Sequence, residues 1–272
     1  MPVRKRILIV EDDPGVRESL KARLDAPDRQ IESASGGLAA LRSIEAEPFD
    51  LIVADVSLIE GIHKARPDAK VVVTGAAHAP DKMIEALRAR AFTYIGTPFA
   101  GSHVTDLVDR ALSCTAWEED VEVLSAGSRW LGLRMRSKME AVHRVLPFLR
   151  EMMIEIPEAK RDSLITAIRE ILYNAIEHGA GNDPEKKVTI TCVRTERALL
   201  YYVRDPGKGF SLDKLEHAAV SNPQCSPIEH AELRERLGLR PGGFGLLITR
   251  QLVDELIYDE LGNEVLLVKY IP

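Results

Sequence analysis

Residues 170–179 read EILYNAIEHG. Glu170, Asn174 and His178 are spaced four apart, so on a helix they share one face. Their neighbours Ile171, Leu172 and Ile176 mark a core-facing stripe. A carboxylate, an amide and an imidazole in one row beside a core stripe point to chemistry. Gly179 is the expected helix stop. His178 is expected to cap that end, where a donor suits the free carbonyls, and Glu177 to be solvated.

Downstream, DPGKGF (205–210) places Asp205 at a strand end, followed by a glycine-spaced turn with Gly207 and Gly209. RPGGFGLLITRQLVDEL (240–256) places Gly242, Gly243 and Gly245 directly before a helix, where backbone N–H groups and the helix dipole can meet phosphate. The polar stretch between them, 211–242, has the length of a lid, and its Arg234, Arg236 and Arg240 could reach phosphates or simply be solvated. Around these motifs the pattern predicts a strand at 130–137, helices at 138–153 and 159–178 broken at Pro157, and two hairpins, KVTITCVRT with ALLYYVRD and DELIYDE with NEVLLVKYI. Helices on one face of an antiparallel sheet make an α+β two-layer sandwich.

The first part of the chain alternates differently. RILIV (6–10), FDLIVADVSL (49–58), VVVTGAA (71–77) and TYIGTPF (93–99) are short apolar runs with helical segments between them, which predicts a doubly wound parallel sheet. The expected divisions are a first domain at 1–114, a linker at 115–128 and a second domain at 129–272. Glu11, Asp12 and Asp13 follow the first strand, Asp55 ends another, and Thr74 ends a third. Strand ends converge on one crevice, and carboxylates gathered there call for a cation, so an oxygen-ligand Mg²⁺ site is expected. Asp13-Pro14-Gly15 is also good turn chemistry.

The bulk numbers bound the rest. A chain of 272 residues with 45% apolar content and net charge −6 suits a folded two-domain protein and gives no electrostatic case for nucleic acid or an anionic membrane. Cys114, Cys192 and Cys225 lie in no CxxC pair, so neither a zinc site nor a disulfide framework is expected. No membrane span or signal peptide is read, and the expected compartment is the cytoplasm. Trp117 and Trp130 read as packing residues, and His143 as a surface or half-buried helix histidine.

Residues 4 to about 114, through IVEDDP, LIVADV, VVVTGA and YIGTPF, resemble the CheY-like receiver domain of response regulators. The resemblance implies that Asp55 accepts a phosphoryl group from an upstream histidine kinase, that Glu11 and Asp12 hold Mg²⁺ together with Asp55, and that Thr74 and Tyr94 are the switch pair. Two features depart from the family: Thr97 stands where it has a phosphate-binding lysine, with Lys82 and Lys70 nearby in sequence, and the span from Asp55 to Thr74 is short. A phosphorylated receiver and a degenerate, docking-only receiver both remain open.

Residues 128–272 are similar to the ATP-binding fold of the GHKL (Bergerat) type, shared by histidine kinases, gyrase and anti-sigma kinases. The resemblance implies ATP and Mg²⁺ as cofactors. Asn174 would hold the metal of Mg-ATP, Asp205 would accept from the adenine amino group with Gly207 and Gly209 close to the ring, and Gly243 and Gly245 would cradle phosphates beneath a lid. ELxxNAxxHG is most similar to the anti-sigma factor serine kinases (RsbW- and SpoIIAB-like), in which the glutamate, here Glu170, is the general base. That branch implies an anti-anti-sigma (STAS-like) protein or a sigma factor as partner, and a possible homodimer. A non-catalytic partner-switching module and an atypical histidine kinase are the alternatives.

Overall fold

The computed structural model describes residues 4–77, 79–97, 103–114, 117, 120–153, 156–209 and 245–271. The chain divides into two compact units, Met1–Glu118 and Glu119–Pro272.

In the first unit, strands β1 (Lys5–Val10), β2 (Arg29–Ala34), β3 (Leu51–Asp55), β4 (Val71–Ala76) and β5 (Thr93–Thr97) form one parallel sheet in the order 2-1-3-4-5. The helices are α1 (Pro14–Leu24), α2 (Gly37–Ala46), α3 (Ile59–Ala65), α4 (Pro80–Arg88) and α5 (His103–Ser113). Both sheet faces are covered, so the central strands are apolar without alternation. Ile7, Ile9, Leu51 and Val53 pack with Leu20 and Leu24 of α1 and Val104 and Val108 of α5. Leu8, Val10 and Ile52, one residue out of phase, are buried too, because successive strand side chains point to opposite faces. Trp117 closes this core edge-on to Phe92, with ring centroids 5.6 Å apart. The short α3 reflects the short span between Asp55 and Thr74.

The strand β2, RQIESA, is one that sequence patterning passes over. It lies at the sheet edge, four of its six residues are polar, and only Arg29 is buried.

The second unit is a six-stranded antiparallel sheet in the order β10-β11-β9-β8-β7-β6: β6 (Val121–Gly127), β7 (Trp130–Arg136), β8 (Lys187–Arg194), β9 (Ala198–Arg204), β10 (Glu255–Tyr258) and β11 (Glu264–Tyr270). Helices α6 (Met139–Glu151), α7 (Glu158–Asn174) and α8 (Gly245–Leu252) pack with one another and against it. Leu131, Leu133, Met135, Ile190, Cys192, Tyr201 and Val203 are the buried rungs. The expected linker at 115–128 is corrected here: residues 121–127 are β6, an edge strand paired with β7 and bulged between Val123 and Ser125. Its exposed Glu122 and its small residues Ser125, Ala126 and Gly127 hide the strand signal, because only one side of an edge strand is packed. Trp130 is 49% exposed, with its ring over Gly127.

Candidate functional sites

In the first unit, a cleft of about 410 Å³ opens at the carboxyl ends of the strands, lined by Glu11, Asp12, Asp55, Ser57, Thr74, Gly75 and Thr97 among others. Each side chain has a local reason for its place. Asp13 is the N-cap of α1, accepting from Val16 N at 2.9 Å ahead of Pro14 in the first turn, a role that needs no ligand. The Glu11 carboxylate accepts from Asp13 N at 3.0 Å. Oδ1 of Asp55 accepts from both Ser57 N (2.9 Å) and Ser57 Oγ (2.6 Å), which starts the 3₁₀ turn Val56–Leu58. Thr74 is buried. Tyr94 is buried as well and donates to Ala76 O at 2.8 Å, its hydroxyl occupying the space that a side chain at Gly75 would fill.

Glu11, Asp12 and Asp55 thus share one cleft, but they do not stand as a ready-made ligand cluster. Among the described residues no group of three or more His, Cys, Asp or Glu side chains converges as a metal site. The physical reason is local bonding: Glu11 is turned to the Asp13 amide and Asp55 to Ser57.

In the second unit, α7 carries buried Leu164, Ala167, Ile168, Ile171 and Leu172 at helical spacing. Glu170 and Asn174 sit at the margin of that stripe, half-buried and one turn apart. The Glu170 side chain is 16% exposed and lies 3.7 Å from Arg169 Nε. A Cβ on Gly245 would stand 2.8 Å from Glu170 Oε2, so the bare start of α8 is what lets the carboxylate lie there. Thr249 holds the register of α8, donating to Gly245 O at 2.8 Å and to Ala167 O at 3.5 Å.

The helix does not stop at Gly179, and that expectation is corrected. Residues Ala175–Ala180 continue it as a π turn, which ends at Gly181 in the left-handed region (φ 68°). A π turn adds about one residue per turn, so His178 leaves the Glu170–Asn174 row and is exposed. Gly179 does something else. A Cβ there would stand 2.2 Å from Asp205 Cγ, so the missing side chain is the seat of the Asp205 carboxylate. Gly207 completes that seat, its N–H donating to Asp205 Oδ1 at 2.7 Å. Behind it, Asn263 Nδ2 donates to Gly207 O at 3.3 Å, and Asn263 O accepts from Asp205 N at 3.0 Å. The Asn263 turn is itself fixed by Asp259, which accepts from Leu261 N, Gly262 N and Glu264 N. At Gly209 (φ 76°) any Cβ would run into Leu261 O, so this turn needs glycine both for its backbone and for its space.

Burial raises the Asp205 carboxyl above the ordinary carboxylate range, with the Gly207 N–H opposing and the charge of Asp259 adding to it. The folded chain therefore holds this proton to higher pH than the unfolded chain. Its contribution to stability is greatest below the ordinary carboxylate pKa and falls as pH rises through the raised value. Asp205→Asn should gain in stability relative to the parent across that window, and denaturant midpoints of the two proteins in a pH series will show it.

Glu170, Asn174 and Gly245 form one group, and Asp205, Gly207 and Gly179 another, joined through α7 and its π turn. A hollow of about 330 Å³ beside Asp205 is lined by Lys187, Thr189 and Arg204 rather than by the Glu170 group. Gly243 and the 211–242 lid with Arg234, Arg236 and Arg240 lie outside the described residues. The roles of Gly179, Ser57 and Asn263 were missed in sequence. The one signal was a glycine two residues before the observed stop at Gly181. His143 is partnered: the Tyr173 hydroxyl lies 2.9 Å from its Nε2, with the rings edge-on.

Comparison with known proteins finds a match in each unit. Residues 7–109 match the response regulator receiver domain, and residues 135–269 match the histidine kinase-like ATPase domain. The response regulator protein PilR of Pseudomonas aeruginosa is 32% identical over 117 residues, 40% of this chain and 26% of PilR. The response regulator MprA of Mycobacterium avium is 31% identical over 125 residues, 43% of this chain and 55% of MprA. The chain therefore spans only about a quarter to just over half of these relatives. The receiver domain of HemR from Leptospira biflexa covers 41% of this chain and 97% of its own, at 28% identity and a TM-score of 0.39. No described helix is long and apolar enough to cross a membrane. The chain joins a response-regulator receiver domain to a histidine kinase-like ATPase domain, a combination that belongs to signal transduction.

Proposed function

We propose that the second domain is an ATP-dependent protein serine/threonine kinase of the anti-sigma type, and that the receiver domain regulates it. The observation that carries the reading is the seat of Glu170 against Gly245, with Asn174 one turn on. A general base must lie within reach of the hydroxyl it deprotonates, beside the transferring phosphoryl group. The residues fit Mg-ATP. Among the described residues the Asn174 amide takes no hydrogen-bond partner, Gly245 offers bare backbone at a helix start, and Asp205 is a half-buried acceptor suited to an amino group. The nucleotide supplies the γ-phosphoryl group and Mg²⁺ the charge that offsets it. Asn174 would orient the metal, Asp205 the adenine, and Glu170 would take the proton from an attacking Ser or Thr hydroxyl. The partner would be an anti-anti-sigma (STAS-like) protein or a sigma factor.

In the receiver, Asp55 would be the phosphoacceptor. Glu11, Asp12 and Asp55 are hard oxygen donors of the kind Mg²⁺ takes, once Glu11 turns from Asp13 and Asp55 from Ser57. Thr74 and Tyr94 would read the change. The Tyr173 partner of His143 weighs against a phosphoaccepting histidine there, and so against the histidine kinase alternative.

Calorimetry of Mg-ATP on the intact chain and on Asn174→Ala tests the nucleotide site. The parent is expected to bind, and the variant to lose at least about tenfold in affinity, as removal of a metal-orienting ligand does. No binding by the parent would overturn the catalytic roles of Glu170, Asn174 and Asp205 together.

A further inference from the structure

The receiver cleft holds an aspartate read as a phosphoacceptor, but no cation at the strand-end position beside it. Thr97, which stands there, is engaged with the sheet: its hydroxyl donates to Gly75 O at 3.0 Å. Arg17 donates to the carbonyls of Glu11 (2.6 Å) and Asp12 (3.4 Å). Lys70 lies just before β4, at the opposite end of that strand from Thr74, and its ammonium donates to the carbonyls of Ala111 and Cys114 at the end of α5.

Lys82 is differently placed. It sits in the first turn of α4, whose next residue, Met83, is fully buried. That helix packs against the 3₁₀ turn that Asp55 starts. The Lys82 side chain is 58% exposed and pairs across one turn with Glu85 at 2.9 Å. Its basicity is raised first by the hydrogen bond and charge of Glu85, and further by the charge of Asp55. Lys82 therefore stands on the helix that packs against the Asp55 turn, its ammonium held by Glu85.

We propose that Lys82 is the cation that binds the phosphoryl group on Asp55, taking the part of a strand-end lysine, and that Glu85 is the partner it leaves to do so. The proposal rests on Asp55 being the phosphoacceptor. An oxygen of the Asp55 carboxylate is the nucleophile once the side chain turns from Ser57. That oxygen attacks the phosphorus of a phosphodonor, a P–O bond to Asp55 forms, and the bond from phosphorus to the leaving group breaks with its electron pair going to the leaving group. The single charge of the carboxylate is replaced by close to two on the phosphoryl oxygens. A lysine shared between Glu85 and that group then moves toward the larger charge. Because α4 carries the lysine, phosphorylation pulls on this helix directly.

The test uses the full chain with acetyl phosphate and Mg²⁺, reading acyl phosphate at Asp55 by mass and its decay with time. Asp55→Asn is the blank. Lys82→Ala should slow formation and shorten the lifetime by about fivefold, the effect of one exposed charge-assisted contact. Lys82→Arg should restore both, and so should Thr97→Lys in the Lys82→Ala background. Glu85→Gln, which frees the lysine, should speed formation. If the parent is modified at Asp55 and Lys82→Ala changes neither rate, the proposal is overturned and Asp55 stands as phosphoacceptor. If the parent takes no label at Asp55, both fall.

Discussion

Glu170→Gln should bind Mg-ATP as the parent does and turn it over about 10²- to 10⁴-fold more slowly, the range that a positioned general base supplies. The substitution keeps the shape of the side chain against Gly245 and removes only its basicity. An amide is no larger than a carboxylate, so the packing of α8 on α7 should survive. ADP release at saturating nucleotide measures the rate, and equilibrium binding of a fluorescent ATP analogue measures the affinity. Equal loss in both would make Glu170 a positioning group for nucleotide. No loss in either would remove it from the site.

Gly179→Ala should unseat Asp205. The new methyl would stand 2.2 Å from Asp205 Cγ and 2.3 Å from Oδ1, and real atoms do not approach so closely. The carboxylate must leave, and with it the bond to Gly207 N. Overpacking of this kind costs about 1–3 kcal/mol of stability. Nucleotide affinity should fall about ten- to a hundredfold if Asp205 is the adenine acceptor, each 1.4 kcal/mol being a factor of ten. The control is two residues away. Gly181→Ala meets nothing within 4 Å and bears only the left-handed backbone cost of about 1 kcal/mol. It should lose that stability and keep its affinity. Thermal unfolding and calorimetry on both variants separate the two effects.

The contrast between these glycines shows what the sequence could and could not disclose. The apolar run LIVAD and the periodic stripe of α7 were legible, because burial on both faces of a strand, or along one face of a helix, leaves a pattern in residue types. The edge strands β2 and β6 were not, because half of each faces solvent and is free to be polar. The joint order of the Asn helix, DPGKG and GFG pointed to the ATPase domain that residues 135–269 match. It could not disclose that residues 175–180 wind as a π turn, since a shift from four-residue to five-residue hydrogen bonding leaves no mark in composition. For that reason Gly179 read as a helix end. The packing of α4 on the Asp55 turn was hidden likewise, being a matter of how the helix docks rather than of spacing along the chain.

The π turn of Ala175–Ala180 works as a phase adjuster. With α-helical winding throughout, Gly179 would fall five residues after Asn174 at an angular offset of about 140° beyond one full circuit. The wider turn reduces that offset, bringing the bare Cα round to Asp205 while Asn174 stays beside Glu170. The aim of the two ends is thus set by a single surplus residue, independently of the residues that do the chemistry. A relative lacking that residue could keep every motif letter and still point its glycine away from its aspartate.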